Sequence, residues 1–144
     1  MRTIKFRGKD IETGEWVQGY FVGITNNEAA IIPFNKVDYD VGYIGDSECS
    51  YCNIETVGQF TGLLDKNGTE VYEGDLVRVA ETENNVEIIA VVRFDEGKFT
   101  ANSIKSSVSF SLDYVFRERQ PGCLSGEVIG NIYDKPHRMK GGAE

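Results

Sequence analysis

The chain has 144 residues, 40% of them hydrophobic and 26% charged, and carries a net charge of −8. A chain of this length buries roughly 68–70% of the surface its unfolded form exposes, so it needs neither disulfide nor metal to hold a core. Its composition excludes an intrinsically disordered protein, and its acidity argues against bulk affinity for nucleic acid, which grows with the number of phosphates neutralised.

Ile4 and Phe6 alternate with Lys5 and Arg7, which predicts a half-buried strand with a basic outer face. Gly8 to Gly14 reverses the chain. Trp16, Tyr20, Val22 and Ile24 share one parity and predict a second strand, closed by Asn26-Asn27. Ala29 to Ile32 begins a third, and Pro33 ends it or marks it as an edge. Asn35 to Asn53 is irregular, with Tyr39, Tyr43 and Tyr51 scattered among glycines and acids, and reads as a long loop.

The most ordered stretch is Thr56 to Val79. Two apolar runs flank Asp65-Lys66-Asn67-Gly68, and Asn67-Gly68 is the dipeptide that best tolerates positive φ at both central positions of a type I′ hairpin turn. Glu73-Gly74-Asp75 breaks the second run before Leu76 to Val79 resumes it. Val86, Ile88, Ala90, Val92 and Phe94 then fall on one parity and predict a central strand, followed by a turn at Asp95-Glu96-Gly97 and a short return at Lys98 to Ala101. Val108, Phe110, Leu112, Tyr114 and Phe116 again occupy every second position, which predicts another strand. Glu127 to Tyr133 is the last β-rich run, and residues 135–144 form a tail expected to fray.

These elements predict an all-β protein of small, strongly bent antiparallel sheets. An N-terminal β subdomain spans about 1–55. A central hairpin with an SH3-like β subdomain spans about 56–134, the barrel likeness resting on analogy for Gly74 to Phe116. One echo stands out: Phe6-x-Gly8 with Gly14 repeats in Phe60-x-Gly62 with Gly68, each with an aspartate before the turn, Asp10 and Asp65. A half-duplication and a coincidence of turn residues both account for it.

The motifs KFRGKD, TGEWVQGYF, TVGQFTGLLDKNGTEVYEGDLV and EVIGNIYDKP, in that order, resemble the YopX family of bacteriophage and prophage proteins. The resemblance covers most of the chain. It implies a mostly β, phage- or prophage-encoded protein of the bacterial cytoplasm, and brings no catalytic residues with it.

Candidate sites compete with plainer readings. Cys49 and Cys52 have the spacing of half a zinc knuckle, and Cys123 with His137 would complete four ligands, but a structural zinc site ordinarily has a second close pair. The expected metal is none. A thioredoxin-like role for the same pair lacks a βαβ unit. Three cysteines, an odd number, fit a reducing cytoplasm. Asp65 to Gly68 looks like part of a calcium loop but lacks the later acidic ligands, so turn chemistry accounts for it. No glycine-rich phosphate loop opens a helix, so no nucleotide cofactor is expected. His137 has no nucleophile or carboxylate near it in sequence. Tyr39, Tyr43, Tyr51, Tyr72 and Phe60 are aromatic enough to stack bases, yet lie among acids that repel phosphate.

Charge distribution gives the remaining pointer. Residues 1–9 hold Arg2, Lys5, Arg7 and Lys9 with no acid, residues 135–140 hold Lys135, Arg138 and Lys140 with none, and the middle is acidic. Lys5, Arg7 and Lys9 are therefore the expected interaction face. The leading expectation is a non-enzymatic binding module that contacts a host or phage protein and self-associates, with no membrane segment, since apolar runs are far too short to span one. The alternative is a nucleic-acid-binding accessory protein that uses the basic first strand and the basic tail.

Overall fold

The computed structural model describes residues 2–25, 27–37, 49–81, 84–116 and 124–134. The chain is all-β, and divides into two compact units, Met1–Phe60 and Thr61–Glu144. The division falls inside a strand, β5 (Gly58–Leu64), rather than ahead of it. The start of β5 pairs with the first strand of the chain, through Arg7↔Gly58 and Phe6↔Gln59, and its later part neighbours β6 (Glu70–Tyr72).

In the first unit β1 (Phe6–Lys9), β2 (Trp16–Thr25), β3 (Glu28–Pro33) and β4 (Ser50–Asn53) are hydrogen-bonded in the order β4-β3-β2-β1. All neighbours are antiparallel. The sheet curls until its two ends touch: Asp10 forms an isolated antiparallel bridge with Cys52, and the Ile11 amide donates to the Tyr51 carbonyl at 2.9 Å. The interior of so tight a curl admits only small or slender side chains. Ala29, Ile31 and Cys52 are fully buried there, and a Cβ at Gly8 would lie 2.9 Å from Cys52 Cβ and 3.2 Å from Ile31 Cδ1. At Gly19 the backbones come closer still, since a Cβ would fall 1.9 Å from the Ile32 carbonyl oxygen.

Two expectations change in this unit. Ser50 to Asn53 is a strand rather than part of a loop, because β3 offers it a ladder from Glu28↔Asn53 to Ile31↔Ser50. The parity shared by Trp16, Tyr20, Val22 and Ile24 does not persist, because a bulge between Phe21 and Gly23 leaves Val22 outside the pairing and 57% exposed.

In the second unit β7 (Asp75–Glu81), β8 (Val86–Asp95), β9 (Lys98–Ser103), β10 (Ser109–Ser111) and β11 (Leu124–Asn131) form a five-stranded antiparallel sheet in the order β10-β9-β8-β7-β11. β8 is its middle strand, where the alternation placed it. The core is branched aliphatic: Val71, Val77, Val79, Val92, Leu112 and Val115 are each at most 2% exposed. The described strands close no barrel. A short helix, α1 (Leu112–Phe116), contacts β9, β10 and β11. It replaces the second half of the strand expected over Val108 to Phe116, whose first half forms as β10. Leu112 and Val115 are both buried, and their three-residue spacing puts them on one helical face, whereas strand alternation would turn them to opposite faces.

The central hairpin forms, but its turn differs from the expected one. The Gly68 amide donates to the Asp65 carbonyl at 3.0 Å, so Lys66 and Asn67 are the central residues, and positive φ occurs at Gly68 (82°) and not at Asn67. A left-handed glycine following the turn lets the longer loop match the twist of its strands without a left-handed asparagine.

Candidate functional site

In β1 and the residue just ahead of it, Lys5, Arg7 and Lys9 alternate with Phe6 and Gly8, so the three cations share one face, about 6.8 Å apart along the extended chain. The register of β2 puts Gln18 beside Arg7 and Trp16 beside Lys9 on that face. The cations lie on rings. Arg7 Cζ is 4.7 Å and Lys9 Nζ 5.5 Å from the Trp16 centroid, while Lys5 Nζ is 4.9 Å from Phe60 and 5.9 Å from Phe34. Tyr20 meets Phe34 edge-on at 4.8 Å. All three cations are half-buried, their aliphatic stems covered and their charges held in place by the ring quadrupoles. The expected interaction face is thus a row of cations interleaved with aromatic rings, a feature visible in sequence only as far as the basic alternation.

Two aspartates, one in each unit, act as clamps, and sequence reasoning had marked both only as turn residues. Asp10 Oδ1 accepts from the Glu12 and Thr13 amides at 2.8 and 3.0 Å, and its Oδ2 accepts from the Ser50 hydroxyl of β4. Asp65 Oδ1 accepts from the Asn67 and Thr69 amides at 2.8 and 2.9 Å, and its Oδ2 from the Val128 amide of β11 at 2.9 Å. Each carboxylate orders its own turn with one oxygen and pins a distant strand with the other. The sequence echo therefore has a structural counterpart, including the left-handed glycines Gly14 (72°) and Gly68 (82°). The Ser50 hydroxyl, ahead of the Thr13 and Glu12 amides, holds Asp10 below the usual carboxylate range. Burial pushes Asp65 up, but the Val128, Thr69 and Asn67 amides outweigh it and leave its carboxyl lowered. With both Asp65 oxygens committed to amides, turn chemistry accounts for this loop.

The cysteines separate. Cys52 is buried in the curl, where burial pushes its thiol up, and Cys49 is half-buried ahead of β4; both are free thiols. Three residues of extended chain put such a pair roughly 10 Å apart, beyond disulfide reach. Cys123 and His137 lie outside the described residues, as do Tyr39, Tyr43 and the basic tail. Among the described residues no cluster of histidine, cysteine and carboxylate side chains could hold a metal. Of the remaining aromatics proposed for stacking, Tyr72 is 1% exposed and Phe60 8%, and Tyr51 alone projects into solvent.

Comparison with known proteins places the chain. The YopX protein family matches residues 5–140. The chain belongs to the YopX family. The crystal structure of protein EF1440 from Enterococcus faecalis is similar to it at a TM-score of 0.62 and 23% identity, over 96% of this chain and 99% of that one. At that identity the likeness is one of fold. No curated protein matches the chain. Among the described residues of this YopX chain no helix is long and apolar enough to cross a membrane.

Proposed function

We propose that this YopX protein is a non-enzymatic binding module of the bacterial cytoplasm, phage- or prophage-encoded, and that the Lys5, Arg7 and Lys9 row is where it meets an acidic segment of a protein partner, a second copy included. The observation that carries the reading is the fixing of those cations over Trp16, Phe34 and Phe60. Cations already ordered by rings lose less side-chain freedom when a carboxylate arrives. Their spacing of about 6.8 Å is also that of alternate side chains in an extended peptide. The same geometry weighs against nucleic acid: bases need open ring faces, whereas Trp16 carries two cations and Phe60 is buried beneath one.

The test compares the parent with a Lys5→Ala, Arg7→Ala, Lys9→Ala variant in cross-linking capture from host cells, alongside light scattering at low and high salt. The expected result is loss of the captured protein, or of the self-associated species, with thermal unfolding little changed. Exposed charge pairs are screened over about 8–10 Å at moderate salt, so an assembly held by this row loosens as salt rises. Capture undiminished in the triple variant overturns the reading, and salt-sensitive binding of a single-stranded oligonucleotide that the variant loses replaces it with the nucleic-acid one.

A further inference from the structure

The second unit contains a cavity of about 230 Å³ that plays no part in the binding row, and its walls come from one end of the five-stranded sheet. Register explains its composition. Val77, Val79 and Glu81 alternate along β7 on the face that builds the core; Ala90, Ile88 and Val86 oppose them on β8, and Leu124 opposes Glu81 from β11. The row that is aliphatic at Val77 and Val79 thus ends in a carboxylate at a core-facing position. Phe110 of β10 and Tyr114 of α1 supply the facing wall. The mouth is open to solvent, for Val86 and Tyr114 remain 49% and 44% exposed.

The Glu81 side chain makes no hydrogen bond or ion pair with another described residue, in contrast to Glu87 and Glu127, which pair with Arg78 on the opposite face of the same strands. A half-buried carboxylate over an apolar floor is a recognition element for a cation with an apolar body. Size narrows the choice. An apolar cavity of about 150 Å³ holds one benzene, and pockets for drug-sized molecules begin at about 300 Å³. This one takes a single ring and a short chain, and is too small for a nucleotide.

We propose that the cavity is a binding site for a small primary amine with a one-ring or branched apolar body, its ammonium group donating to Glu81 and its body resting on Val79, Ile88, Phe110 and Leu124. Charge-assisted hydrogen bonds are roughly twice as strong as neutral ones, so an amine gains about tenfold over a neutral molecule of the same shape.

The experiment is an amide chemical-shift titration of the full chain with 2-phenylethylamine, 2-phenylethanol, phenylacetate and Nα-acetyl-lysine methylamide. Saturable shifts centred on Val79, Ile88 and Leu124 are expected, with the amine about tenfold tighter than the alcohol and phenylacetate weakest. Glu81→Gln should equalise amine and alcohol while both still bind. Val86→Trp, which fills the mouth from an exposed position, should abolish both and leave the remaining spectrum dispersed. Absence of a saturable shift up to about 10 mM amine, or a preference for the amine that survives Glu81→Gln, overturns the site. Tighter binding of the lysine derivative than of the ring amine overturns the assignment to a free small molecule.

Discussion

The two units are built from the same alternating strands and reach burial by opposite means. The first unit curls a sheet until backbones nearly touch, so the inside of the curl is lined by Gly8, Ala29, Ile31 and the Cys52 thiol, closed by a carboxylate, a hydroxyl and a single bridge. The second unit keeps its strands at ordinary separation and fills the space with valine and leucine, capped by α1. Close backbone approach makes the first intolerant of added atoms, and aliphatic packing makes the second intolerant of lost ones. Four substitutions can break or sharpen that contrast.

Gly19→Ala should have the largest effect, because its methyl meets the Ile32 backbone rather than a side chain that can turn away; a loss of more than about 3 kcal/mol is expected from urea unfolding. A small effect would mean that the curl is looser than described. Leu112→Ala, which leaves a void among fully buried neighbours in the second unit, should cost about 3 kcal/mol, within the range for leucine truncation in cores. Were it harmless while Gly19→Ala is not, aliphatic packing would not be what holds the second unit.

Gly8→Ala is milder than Gly19→Ala because the atoms it meets are the Cys52 and Ile31 side chains, and about 2 kcal/mol is expected. Urea unfolding monitored at Trp16, which sits in the first unit, would report it. A stabilising effect would show that the interior has room.

Asp65→Asn should be the smallest, about 1 kcal/mol at neutral pH, since one amide loses a good acceptor. Its sharper signature lies in acid. A carboxylate whose folded pKa is lowered contributes stability that is present above the unfolded value of about 3.9 and is lost as pH falls through the folded one. Stability measured from pH 5 down to pH 2 should therefore fall less steeply in the variant than in the parent. An unchanged slope would remove Asp65 from the acid response and leave Asp10, whose clamp belongs to the other unit, to account for it.

Much of the fold could be read from residues alone where alternation is long and turn chemistry strong. β8 and its return at Asp95-Glu96-Gly97, the break at Gly74, and the basic face of β1 all follow from period and turn residues. Features set by distant partners could not. β4 is short and becomes a strand because β3 lies beside it; Val22 drops out of register because β2 must bend; α1 forms where Leu112 and Val115 both reach the core, although two-residue alternation fits the same letters. The rings beneath Lys5, Arg7 and Lys9 come from three separate places in the chain, so spacing alone could not assemble the row. The inward Glu81 did leave a trace, an acid on the parity of Val77 and Val79, but its meaning depends on knowing which face is the core.

The placement of Cys52 gives the first unit a clock of its own. The thiol, carried by β4, is shut in against Gly8 of β1, with burial pushing its pKa up, so a thiol reagent reaches it only while the Asp10 bridge is open. Half-buried Cys49, just ahead of β4, reacts without waiting for that event. The slow phase of thiol modification in native buffer therefore times the uncurling of one sheet, and its ratio to the rate in unfolded chain converts to the free energy of that local opening. Added denaturant then separates the two possible routes: a slow phase that hardly accelerates reports a local fraying of β4, while one that accelerates with the full unfolding slope reports loss of the whole unit.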